Sequence, residues 1–123
     1  MAHLIQFPTF QDSRGVLTVM DQDLPFEPKR CFVIHSMTQP RGGHGHLCSK
    51  TILFALSGKI QVEVRTKGRK KEDSDFYLLQ DPKQGLYLDP EDWHAFEADS
   101  PGAVLLCIAS HSYSKDDYFY ERP

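Results

Sequence analysis

No window of this chain carries a sustained 3.6-residue apolar repeat, which leaves no amphipathic helix to build a core from. Short runs rich in β-branched and aromatic residues recur instead, over 16–20, 31–37, 51–56, 59–65, 76–79, 85–88, 93–98 and 103–110. Such side chains pack well on a pleated, half-buried surface. Turn clusters part the runs: Asp12-Ser13-Arg14-Gly15, Gln39-Pro40-Arg41-Gly42-Gly43, Ser57-Gly58, Lys67-Gly68, Asp81-Pro82, Asp89-Pro90 and Ser100-Pro101-Gly102. This spacing predicts an all-β sandwich or small barrel with little helix. Ser57-Gly58 reads as a tight hairpin between its flanking runs, because glycine tolerates the positive φ such turns need.

With 123 residues, 40% of them hydrophobic, the chain is long enough to bury a core as one domain, 1–123. A formal charge of -3 argues against a general nucleic-acid binder. The basic run Lys67-Gly68-Arg69-Lys70-Lys71 passes straight into Glu72-Asp73-Ser74-Asp75 and reads as a solvated turn. The N-terminus lacks the layout of a signal peptide and no apolar run approaches membrane-spanning length, so a cytoplasmic protein without membrane contact is expected. Three cysteines are an odd count without close pairing. Cys31 and Cys107, set in apolar runs, are expected as buried free thiols.

The stretch "PRGGHGHLCSK", residues 40–50, carries the chemistry. Alternate side chains of a strand share a face, so His44 and His46 point the same way. Continued alternation adds Cys48, Lys50, Ile52, Phe54 and Leu56, polar at one end and apolar at the other, as in a barrel with a functional mouth and a packed floor. The two imidazoles read as metal ligands, as proton carriers, or as ordinary residues on a wet sheet.

A glycine-led His-x-His resembles the cupin superfamily, whose metal-binding members add a Glu four or five residues on and a third His in a later strand. Lys50-Thr51 stands where that Glu belongs, while His94 in "GLYLDPEDWHAF" (85–96) suits the third place. Three imidazoles, His44, His46 and His94, would suffice for some zinc or iron sites. A Lys50 ammonium on the same face would repel a divalent cation, which favours a site without metal or cofactor.

Four segments taken together narrow the resemblance. "FQDSRGVLTVMDQDLPFEPKRCFVI" (10–34), "PRGGHGH" (40–46), "GLYLDPEDWHAF" (85–96) and "VLLCIASHSYSKDDYFYER" (104–122) are similar, in this order, to the sugar 3,4-ketoisomerases that act on dTDP-4-keto-6-deoxyhexoses. The resemblance implies a metal-free, dimeric cupin jelly roll. It implies a 3-keto product that an aminotransferase converts to a 3-amino-3,6-dideoxyhexose for surface polysaccharide such as the O-antigen of lipopolysaccharide. It makes His44 and His46 the proton-transfer residues, with His46 favoured as main base.

The chemistry suits these residues. Moving a carbonyl from C-4 to C-3 means removing the C-3 proton, passing through an enediol and reprotonating at C-4. That requires a base titrating near neutrality and a donor for the enolate oxygen. Arg41 offers fixed positive charge for the enediolate oxygens or the phosphates. Arg14 of "DSRG" is a candidate pyrophosphate ligand, since guanidinium grips phosphate through paired hydrogen bonds. Lys50, His35 and His94 complete the expected substrate contacts, and Trp93 is expected in the core.

The chain departs from the family where it reads "KRCFVIH" (29–35). Members commonly read Lys-Arg-Val-Tyr-Tyr-Ile-Tyr there, so Phe32, Val33 and His35 stand in place of tyrosines. Leu47 also follows His46 where members tend to carry lysine. The general acid is left open, with His35 one candidate, and Tyr113, Tyr118 and Tyr120 fall near the end of the chain. A metal-dependent, dioxygenase-like cupin and a non-catalytic sugar-nucleotide-binding module are the alternatives. A homodimer is expected, since a small sandwich exposes strand edges that a second copy would protect.

Overall fold

The computed structural model describes residues 2–120. Twelve strands follow in chain order: β1 (His3–Gln6), β2 (Thr9–Asp12), β3 (Gly15–Thr18), β4 (Arg30–Ile34), β5 (Arg41–His46), β6 (Thr51–Ser57), β7 (Ile60–Thr66), β8 (Asp75–Leu79), β9 (Gln84–Leu88), β10 (Asp92–Ala98), β11 (Val104–Ala109) and β12 (Tyr118–Phe119). One five-stranded sheet has the order β1-β9-β6-β11-β4, a second has β12-β5-β10-β7-β8, and β2 and β3 form a ribbon of their own. The expected all-β sandwich is thus present.

The main core fills the space between the sheets. Leu53 and Ala55 of β6, Leu86 and Leu88 of β9 and Leu105 of β11 meet Ile60, Val62 and Val64 of β7, Leu79 of β8 and Phe96 of β10. Each fully buried aliphatic side chain contributes about 1.5–3 kcal/mol relative to exposure. A second cluster, Phe7, Ile52 and Phe54 with Ile5, Met20, Leu24 and Phe26 around it, covers the other face of the first sheet. The sequences of β6 and β7 record this difference. TILFALS is buried from Thr51 through Ala55 without alternation, whereas IQVEVRT alternates along most of its length because one of its faces meets solvent.

That asymmetry overturns the hairpin expected at Ser57-Gly58. Gly58 does take a positive φ of 71°, and a Cβ there would lie 2.8 Å from the Ala103 Cα. The strands it joins do not pair: β6 lies between β9 and β11, and β7 between β8 and β10. A strand needing cover on both faces and one needing it on a single face belong to different layers, so the turn carries the chain across the sandwich.

Cys31 also departs from expectation. It is exposed, because β4 is an edge strand whose alternation turns Cys31 and Val33 outward while Phe32 and Ile34 are half-buried. Cys107 is buried as expected, and burial pushes its thiol up to about 12. The basic run at 67–71 is an exposed turn. Among the described residues no helix is long and apolar enough to cross a membrane.

Candidate active site

The histidines gather because β5 and β10 are antiparallel neighbours with His44 opposite His94. His46 follows His44 by one alternation, so all three imidazoles share one inward face. Their ring centroids lie 5.4 Å (His44–His46), 4.9 Å (His44–His94) and 6.2 Å (His46–His94) apart. They line a cavity of about 360 Å³ between the two sheets, walled on the opposite side by Phe32 of β4, Thr51 and Leu53 of β6 and Cys107 of β11, with Arg30, Arg41 and Tyr118 also in its lining.

The tail completes the site. Gly45, outward on β5, has no Cβ, and one built there would lie 2.5 Å from the Phe119 ring and 2.8 Å from the Asp92 carbonyl oxygen. Glycine therefore lets β12 lie close against β5, pairing Tyr118 with His46 and Phe119 with Gly45. Just before β12, Asp117 sets one carboxylate oxygen 2.9 Å from His46 Nδ1 while the other accepts the Cys48 amide at 2.7 Å. An ionised carboxylate only accepts, so Nδ1 carries the hydrogen and the Nε2 lone pair remains open to take a proton. The Tyr118 ring centroid is 4.7 Å from that of His44 and 4.6 Å from that of His46. Its hydroxyl accepts a 3.1 Å hydrogen bond from Arg30 Nη1, and the Arg30 guanidinium lies 4.7 Å from the Phe32 ring centroid.

Burial governs the charge of these groups. His44 is held below the ordinary histidine range by desolvation and then by the neighbouring His46. His46 is also lowered by desolvation, with Asp117 opposing the shift through its hydrogen bond. His94 is pushed down to about 3 by full burial and by His44 and His46, and its Nδ1 is buried without a hydrogen-bond partner among the described residues. At neutral pH the site therefore holds three uncharged imidazoles. Among the described residues no group of three His, Cys, Asp or Glu side chains is arranged to hold a metal ion.

A family model described as "FdtA: WxcM-like, C-terminal" matches residues 1–123. The chain belongs to the FdtA family. A TDP-4-oxo-6-deoxy-α-D-glucose-3,4-oxoisomerase of Aneurinibacillus thermoaerophilus is 31% identical over 119 residues, 94% of this chain and 83% of that one. A mutant of the 3,4-ketoisomerase QdtA from Thermoanaerobacterium thermosaccharolyticum, crystallised with TDP-4-keto-6-deoxyglucose, superposes with a TM-score of 0.88 at 30% identity, covering 96% of this chain and 86% of that one. The TDP-fucose-3,4-ketoisomerase WlaRA of Campylobacter jejuni gives 0.86 at 27% identity, covering 98% and 89%.

In this FdtA-family chain the structure brings His44, His46, His94 and Arg41 together and leaves three other expected contacts outside. Lys50 is exposed and absent from the cavity wall. Continued alternation fails because β5 ends at His46, the chain turns, and β6 starts in the other sheet, so Thr51 and Leu53 face the cavity instead. Placed there, the Lys50 ammonium does not face the three imidazoles, and the expected repulsion of a cation at the site does not arise. His35 lies just beyond β4, exposed, with its Nδ1 3.3 Å from Ser36 Oγ. Arg14 sits in the β2–β3 turn with its side chain 88% exposed, paired to Asp12, whose carboxyl it holds below the usual range. Trp93 is buried, the Arg65 guanidinium 4.2 Å from its ring centroid.

Asp117 and Arg30 were not singled out from the sequence, and Tyr118 was noted without a role. A two-residue strand after a three-residue 3-10 turn is too short for any periodicity to announce it.

Proposed function

We propose that this chain moves the keto group between C-4 and C-3 of a TDP-linked 4-keto-6-deoxyhexose by proton transfer through an enediol. The observation that carries the reading is the imidazole pair of half-buried His44 and buried His46, with Asp117 fixing the tautomer of His46 beside the cavity between the sheets. Membership of the FdtA family and the activities of its relatives supply the substrate class.

His46, uncharged at pH 7, takes the C-3 proton at Nε2, and Asp117 stabilises the imidazolium as it forms. Arg41 on β5 offers positive charge to the enediolate oxygens or to the phosphates. His44 relays the hydroxyl proton between the adjacent sugar oxygens. His94, uncharged at pH 7, is a hydrogen-bond partner for the sugar.

A homodimer belongs to the same reading. The β2–β3 ribbon exposes Phe10, Val16 and Leu17, at 62%, 53% and 61%, and a second copy is the natural cover for them. Arg14, on that ribbon, retains a part in phosphate binding only through such an assembly, since it lies off the cavity of its own chain.

The test is to incubate the protein with TDP-4-keto-6-deoxyglucose and a 3-aminotransferase, following the sugar by proton NMR. A 3-amino-3,6-dideoxyhexose is expected. An unchanged 4-keto sugar, with TDP still bound in a parallel titration, would replace the isomerase reading with that of a binding module.

A further inference from the structure

The geometry points to Tyr118 as the proton donor at C-4, with Arg30 holding the charge left on its oxygen. This deepens the isomerase reading and rests on it.

The isomerisation needs an acid as well as a base, and Phe32 and Ile34, which β4 sets in the cavity lining, have no proton to give. His35 is outside the cavity. Among the described residues lining the cavity, the hydroxyl and thiol groups are those of Thr51, Tyr118 and Cys107. Cys107 keeps its proton, its thiol being pushed up to about 12 by burial. An alkyl hydroxyl such as that of Thr51 is a far weaker acid than a phenol.

Tyr118 has the right surroundings. Its ring lies about equally close to His44 and His46, at 4.7 Å and 4.6 Å between centroids, so it stands beside the proposed base. Arg30 can only donate, and its Nη1 spends a hydrogen on the Tyr118 oxygen at 3.1 Å. The phenol's own hydrogen is thereby turned away from Arg30. When that hydrogen leaves as a proton, a guanidinium already faces the oxygen that takes the negative charge.

The step balances. His46 removes the proton from C-3, and the C–H electron pair becomes the C-3/C-4 double bond as negative charge moves to the C-4 oxygen. The hydroxyl proton on the C-3 oxygen passes to the C-4 oxygen. The C-3 oxygen then closes to a carbonyl, and the double-bond pair takes the Tyr118 proton at C-4. The His46 imidazolium gives its proton to water and the phenolate takes one from water, restoring both residues.

Tyr118→Phe keeps the ring and removes only the donor. In deuterium oxide, proton NMR of the variant should show C-3 exchange of recovered substrate near the wild-type rate. Product formation and deuterium at C-4 should fall by about 100-fold or more. A TDP titration unchanged from wild type confirms an intact pocket. Product formed at the wild-type rate would overturn the assignment, and so would joint loss of exchange at both carbons with TDP binding intact, which would make Tyr118 a support for His46. A second measurement needs no variant: in one turnover of C-3-deuterated substrate by excess wild-type enzyme in ordinary water, no label should reach C-4. Label carried from C-3 to C-4 would show one base serving both carbons and would overturn the proposal. Wild-type protein that exchanges neither carbon removes the isomerase reading itself, an outcome distinct from failure of the donor alone.

Discussion

The candidate site has two halves built differently. The β5–β10 half is a ladder inside a five-stranded sheet, and it presents His44, His46 and His94 by alternation and register alone. The tail half is a 3-10 turn and a two-residue strand, joined to β5 through two residue pairs, Tyr118 with His46 and Phe119 with Gly45. The first half places reactive rings through many shared backbone contacts. The second adds a carboxylate and a phenol through few, so single substitutions there act on geometry more than on the fold.

That contrast sets an order of effects. His46→Asn removes the base from the ladder half and should cut turnover of the 4-keto sugar by on the order of 100-fold or more, read in the coupled aminotransferase assay. Asp117→Asn strikes the tail half. It can present an amide hydrogen to Nδ1 and select the wrong tautomer, lowering kcat on the order of 10- to 100-fold with TDP affinity unchanged. If the asparagine variant kept full kcat, the tail would be a cover and not part of the machinery.

Gly45→Ala tests the seam between the halves. A Cβ 2.5 Å from the Phe119 ring should displace β12, costing about 1–3 kcal/mol in denaturant unfolding, with activity falling further than stability. An unchanged midpoint would mean that β12 does not rest on that glycine.

Protons probe the ladder half from within. The folded-state pKa values of His44, His46 and His94 lie below their unfolded value, so the unfolded chain binds more protons in acid. Their contribution is fully present above the unfolded pKa and is lost as pH falls from about 6.5 towards about 3. His94→Gln should flatten this decline in urea unfolding measured across pH. The acid limb of kcat/KM, set by neutral His46, should fall below 6.5. Smallest of all is Lys50→Ala, which should leave activity at the wild-type level and stability within about 0.5 kcal/mol, since Lys50 is exposed and off the cavity. A clear loss of activity in that variant would put Lys50 at the cavity after all.

The same division explains what was legible beforehand. Short β-branched runs and their turns announced the sandwich, and the period of two announced the shared face of His44 and His46. His94 was readable through the cupin resemblance, which expects a third histidine in a later strand. The parity after His46 was not readable, because four turn residues, Leu47 to Lys50, reset which side chains face inward and no local pattern counts them. The Ser57-Gly58 turn was visible, but whether its strands pair or part depends on burial of both β6 faces, a property of the whole assembly. Asp117 was invisible for a related reason. Its partner is 71 positions away, and a lone aspartate in a polar tail carries no signal of what it will touch.

That long separation has a kinetic consequence. Closing so distant a contact through a two-residue strand is favourable only once the surface receiving it exists. During refolding, the emission of the single tryptophan, Trp93 in β10, should settle as the sheets close, while catalytic competence lags until the last segment docks. Regain of turnover would then time the arrival of the tail, separately from collapse of the interior.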